Sequence, residues 1–65
     1  MINRVKALKV ISYENRIADI EAEIRRMTNG LSFLPLSKRE QEEWRIQQRH
    51  MEIAKLRAKI AALLK

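Results

Sequence analysis

The chain has 65 residues, with 14 Lys and Arg against 8 Asp and Glu, a formal net charge of +6 and an isoelectric point near 10.3. One Gly, one Pro, one His and no Cys exclude a disulfide scaffold, a Cys-ligated metal site and a His-cluster metal site. The length allows one domain at most, and the apolar content argues against disorder. No apolar run is long enough to span a bilayer, and the first residues lack the apolar segment of a signal peptide. We therefore expect a cytoplasmic chain.

Residues 1–29 contain neither Gly nor Pro and predict one helix, from about residue 3 to residue 29. Asn3 is a candidate N-cap, although the helix could also begin at Met1. Gly30 follows the last apolar residue of the helical pattern and suits the left-handed C′ position that ends many helices.

Residues 30–36 form the predicted connector, because Pro35 disfavours a helical conformation at Leu34. Residues 37–65 again lack Gly and Pro and predict a second helix. Ser37 and Glu40 have the spacing of a capping box at its start. Because the connector is short, the two helices are expected to form an antiparallel hairpin, with Phe33 and Leu36 alongside the first turns of the second helix.

Apolar residues recur at alternating spacings of three and four on one side of each helix, the a/d pattern of a coiled coil. Arg49 interrupts this seam: either its stem packs while the guanidinium reaches water, or it pairs with Glu23 and fixes the register. The preferred register sets Ile20 against Ile53. The predicted fold is all-α, a two-helix antiparallel coiled-coil hairpin in a single domain, and its seam contains Val10, Tyr13, Ile17, Ile20, Ile24, Met27, Ile46, Arg49, Ile53, Leu56, Ile60 and Leu63.

A second apolar stripe lies opposite the seam on each helix. A two-helix hairpin can bury only one stripe of each helix, so the remaining residues predict an interface with a second copy or with another protein. A second copy would make the chain a helical-bundle homo-oligomer, with a dimer as its simplest form. The alanines alone would also suit a wet helix surface, since Ala is a strong helix former. The candidate interface residues are Leu8, Ile11, Ala18, Ala22, Trp44, Met51, Ala54, Ala58 and Ala61.

Basic residues concentrate at the two chain ends. Residues 1–13 and 53–65 contain no acid, and an antiparallel hairpin brings these segments together at its open end, where the chain termini lie. Such a patch attracts an acidic protein or nucleic acid, although charges on long helices are also commonly solvated. The candidate patch comprises Arg4, Lys6, Lys9, Lys55, Arg57, Lys59 and Lys65.

Residues with the arrangement of a catalytic site are absent from the sequence. His50 has the pattern of an exposed helix residue, and there is no Gly-rich phosphate loop or dinucleotide fingerprint. We therefore predict no enzymatic activity, no cofactor, no metal and no small-molecule substrate. A membrane surface is disfavoured because the second stripe dilutes the amphipathic character of the N-terminal segment.

The predicted function is that of a small protein-interaction module, such as a regulator, adaptor or inhibitor. Its helical faces would make the contacts, and its basic open end would steer it to an acidic partner surface. The alternative is a hairpin that binds the backbone of RNA or DNA without sequence preference.

Overall fold

The computed structural model describes residues 3–65 as two antiparallel helices joined by a 3₁₀ turn. Helix α1 spans Arg4–Gly30, the turn spans Leu31–Phe33 and helix α2 spans Leu36–Leu63. No strand occurs in this part of the chain. The predicted all-α hairpin is confirmed. Within residues 3–65, neither helix carries an apolar stretch that could reach across a membrane.

Helix α1 begins with a side-chain cap. The Oδ1 atom of Asn3 accepts a hydrogen bond of 2.8 Å from the backbone N–H of Lys6, and Asn3 itself has extended backbone angles. This bond satisfies one of the amides that a helix start leaves without a partner. Of the two starts that the sequence allowed, the structure therefore has the one capped by Asn3.

The end of α1 differs from the prediction at Gly30. Its backbone is right-handed, with φ −81° and ψ −13°, so the predicted left-handed C′ glycine is wrong. The Leu31 N–H donates to the carbonyl of Thr28, and the Leu34 N–H donates to the carbonyl of Leu31. These tightened turns satisfy carbonyls at the helix end, so the chain needs no left-handed residue there.

The start of α2 also differs from the prediction. The carbonyl of Pro35 accepts from the amides of Lys38 at 2.9 Å and Arg39 at 3.1 Å, so the helix begins at Leu36 and Ser37 lies inside its first turn. The predicted capping box is therefore not formed. The side chain of Arg39 instead ties the connector to α2, donating to the carbonyls of Leu34 at 3.0 Å and Ser32 at 3.2 Å.

These two helix starts predict alanine substitutions of different cost. We expect Asn3→Ala to lower the free energy of unfolding by about 1 kcal/mol, the usual cost of losing an N-cap. We expect Ser37→Ala to change it by less than about 0.5 kcal/mol, because this hydroxyl caps nothing. Urea titration followed by circular dichroism measures both. A larger loss from Ser37→Ala than from Asn3→Ala would contradict the observed caps.

The core is a short row of isoleucines between the helices. Ile17, Ile24 and Ile53 are buried, and Ile20 is completely inaccessible to solvent. All the other predicted seam residues are half-buried. The seam identified in the sequence is therefore the surface along which α1 and α2 pack.

Cross-helix polar contacts run along one margin of this seam. Arg49 Nε lies 3.1 Å from Glu23 Oε1, and Arg16 Nη2 lies 3.0 Å from Glu52 Oε1. Glu23 lies one turn from Ile20, and Arg49 lies one turn from Ile53, both in the direction of the connector. Their pairing agrees with the predicted register, which sets Ile20 against Ile53. Arg49 thus pairs with Glu23, and its side chain stays 40% exposed. A pair this exposed contributes at most about 1 kcal/mol, so the seam supplies most of the stability.

Candidate interaction surfaces

The apolar stripes opposite the seam lie on the two outer edges of the hairpin. At 100° per residue, each stripe points away from the partner helix. The structure therefore does not bring the two stripes together, and they form two separate surfaces. We call them the α1 outer stripe (Leu8, Ile11, Ala18 and Ala22) and the α2 outer stripe (Trp44, Met51, Ala54, Ala58 and Ala61).

Residues of both stripes are open to solvent. Trp44 is 64% exposed and Met51 48% exposed, and the three alanines of the α2 outer stripe are exposed as well. On α1, Leu8 and Ile11 are more than half exposed, whereas Ala22 is half-buried. A large aromatic side chain left in water on a helix surface is typical of an interface residue.

The side chains of the α2 outer stripe become smaller towards the C-terminus of the helix. Its N-terminal half carries Trp44 and Met51, and an open hollow of about 520 Å³ lies beside Trp44, lined also by Glu40, Gln41 and Arg45. Its C-terminal half carries only alanines, which let another helix approach closely. The stripe therefore has a protruding half and a recessed half.

Two exposed residues at the closed end of the hairpin, where the connector lies, were not predicted as exposed. Phe33 is 87% exposed and Leu36 is 79% exposed, so neither packs alongside α2 as expected. The extended residues Leu34 and Pro35 turn the chain so that Leu36 begins α2 on the side of its outer stripe. The spacing of four between Leu36, Glu40 and Trp44 is the signal that could have placed Leu36 there.

The antiparallel fold brings the basic residues of both chain ends to the open end. Lys6 is half-buried, and the other six patch residues are exposed. In residues 3–65 none of the seven makes an ion pair. Lys59 Nζ lies 5.8 Å from the centre of the Tyr13 ring, a cation–π distance. The open end thus presents cations that no carboxylate of the described chain neutralises.

Acidic residues concentrate at the other end of α2. Glu40, Glu42 and Glu43 lie in its second turn, and of these Glu42 contacts Arg45 at a distance of 3.9 Å. Glu40 and Glu43 make no ion pair with any residue from 3 to 65. With Lys38 and Arg39 just before these glutamates, the start of α2 carries both signs of charge, whereas its end carries only basic residues.

Groups that could hold a metal ion, with three or more His, Cys, Asp or Glu side chains, are absent between residues 3 and 65. Comparison of the chain with protein-family models, with curated proteins and with solved structures finds no match.

Proposed function

We propose that the chain is a small non-enzymatic interaction module, a regulator, adaptor or inhibitor, whose basic open end binds an acidic surface of another protein. The observation that carries this proposal is the mixture of side chains at that end. Arg4 and Lys9 are exposed and without ion pairs in the described chain, and Val5 and Leu8 beside them are 63% and 58% exposed.

An acidic protein surface suits this mixture better than nucleic acid does. A phosphate backbone rewards cations, whereas Val5 and Leu8 would gain nothing from it. Proteins that bind single strands add exposed aromatic rings on which bases stack. Tyr13 is the one aromatic residue near the open end, and it is half-buried with Lys59 above its ring. A partner that offers carboxylates and apolar side chains would use both parts of the surface.

We expect the packing of α1 against α2 to keep the open end rigid. We propose that α1 and α2 form a coiled coil, because the seam keeps its alternating spacing from Val10 to Met27 and its residues are buried or half-buried throughout. Such packing would hold Arg4 and Lys9 at fixed positions relative to Lys55.

The test is fluorescence anisotropy with two labelled probes, an amphipathic peptide of Glu and Leu and a duplex DNA of mixed sequence. We expect the chain to bind the peptide more tightly. We expect Arg4→Gln with Lys9→Gln to weaken peptide binding about tenfold, since two exposed charge contacts together supply about 1.4 kcal/mol. The matched control is Arg25→Gln with Arg26→Gln, which removes the same charge from exposed positions near the closed end of α1.

The control separates a local site from general attraction to a basic protein. Equal weakening by both double variants would contradict a site at the open end. Tighter binding of the duplex, with a steep fall in affinity as salt rises, would replace the proposal with nucleic-acid backbone binding.

A further inference from the structure

We infer that a second copy of this chain packs antiparallel against the α2 outer stripe, so that two hairpins form a symmetric dimer through their α2 helices. This inference does not depend on the partner proposed for the open end. It concerns a different surface, the α2 outer stripe, whose apolar side chains the hairpin leaves in water.

The hairpin exposes enough surface for such an interface. Its accessible surface is 5373 Å², whereas a compact monomer of 7.7 kDa exposes about 4,300 Å² by the usual size scaling. Its radius of gyration is 15.3 Å, against about 11 Å for a compact domain of this length. The surplus of about 1,000 Å² is comparable with the roughly 800 Å² that each partner buries in a standard interface.

The α2 outer stripe belongs to a continuous second seam. With the intervening polar positions included, residues recur at spacings of three and four over most of α2, as in a coiled coil. The N-terminal members are large or acidic, and the C-terminal members are small or basic. In order, this seam contains Glu40, Trp44, Gln47, Met51, Ala54, Ala58, Ala61 and Lys65.

An antiparallel pair of these seams is complementary in size. Centred between Glu52 and Ile53, the arrangement sets Trp44 against Ala61 of the other copy and Met51 against Ala54 of the other copy. Each protruding side chain thus meets a recess, which is the packing that dense interfaces require. Symmetry repeats both contacts on the other side of the twofold axis.

The same register is complementary in charge. Glu40 meets Lys65 of the other copy at both ends of the seam. Within residues 3–65 neither Glu40 nor Lys65 makes an ion pair. A parallel pair in register would instead set Glu40 against Glu40 and Lys65 against Lys65, which is unfavourable.

Exposed leucines lie near both ends of this seam. In the hairpin the side chains of Leu36 and Leu64 are 79% and 59% exposed. The α1 outer stripe offers no equivalent fit, because arginines, Arg4 and Arg25, stand near both of its ends. Two copies paired through α1 would gain no ion pair there, which favours α2 as the interface.

Disulfide cross-linking tests this arrangement, because the chain has no cysteine of its own. Gln47 and Ala58 are exposed and face each other across the proposed interface. Two Gln47 residues, or two Ala58 residues, would be about 16 Å apart along the helix axis at 1.5 Å per residue. A disulfide needs Cα atoms about 4.4–6.8 Å apart.

We expect a mixture of the Gln47→Cys and Ala58→Cys variants to oxidise to a mixed disulfide dimer at least tenfold faster than either variant alone. Mass spectrometry identifies the mixed species, and circular dichroism checks that both variants keep the helical content of the parent. Faster cross-linking of either variant with itself would overturn the antiparallel register. Absence of any mixed dimer from two folded variants would overturn the α2 interface. Neither result would affect binding of the acidic peptide at the open end, so the two proposals fail separately.

Discussion

Ile20→Ala should cost most of the stability of the hairpin. Ile20 is fully inaccessible to solvent and lies at the centre of four buried isoleucines. Truncation of a buried Ile to Ala lowers the free energy of unfolding by about 2–5 kcal/mol through lost transfer energy and the cavity left behind. A chain of this size stands near the lower end of the usual 5–15 kcal/mol. We therefore expect a large decrease in the helical circular dichroism signal and a much lower urea concentration at the unfolding midpoint.

Ile11→Ala is the matched control on the same helix. Ile11 points away from α2 and is 53% exposed, so its truncation leaves no cavity. We expect a change within about 0.5 kcal/mol. Equal losses from Ile20→Ala and Ile11→Ala would contradict the assignment of the seam as the core.

Ala54→Glu should dissociate the proposed dimer and leave the hairpin folded. Ala54 is exposed in the hairpin, and Glu is a good helix former, so the monomer tolerates the change. At the dimer interface, each copy would bury a carboxylate against Met51 of the other copy, close to the twofold axis. We expect the dissociation constant to rise about 100-fold or more, since each 1.4 kcal/mol is tenfold and both copies carry the charge. Analytical ultracentrifugation measures the change.

Ala18→Glu provides the comparison on the other edge. Ala18 is an exposed alanine in the α1 outer stripe, opposite the seam, and carries the same substitution. We expect this variant to associate like the parent. Dissociation caused by Ala18→Glu and not by Ala54→Glu would move the interface to α1.

The apolar periodicity predicted the hairpin well because burial depends mainly on that pattern. Ile17, Ile20, Ile24 and Ile53 were placed in the seam from spacing alone, and the structure buries all four. The same spacing placed Trp44 on the opposite side, where it is exposed. A helix rotates by a constant angle per residue, so a run of a few turns determines which side each residue occupies.

The details of the connector could not be predicted in the same way. Gly and Ser are common at helix ends, and the sequence assigned Gly30 and Ser37 to those roles. The 3₁₀ turn that begins at Leu31 ends α1 without a left-handed glycine, and the Pro35 carbonyl accepts two backbone amides at the start of α2 without a Ser37 cap. These bonds depend on how the connector packs and not on the preference of one residue. The exposure of Phe33 follows from the same local geometry.

The separation of the outer stripes also required the structure. The sequence indicated that residues such as Leu8 and Met51 lie opposite the seam, and it suggested one second surface. Two helices that share one seam turn their opposite sides away from each other. The leftover apolar residues therefore form two separate edges.

The most direct test of the account is the mass of the chain in solution, measured by light scattering over a concentration series at low and high salt. The account predicts a species of twice 7.7 kDa. This species should persist at high salt, because salt screens interactions between charges and the seam between the two α2 helices is mainly apolar. A folded species of 7.7 kDa at every concentration would contradict it, since Trp44 and Met51 would then remain in water.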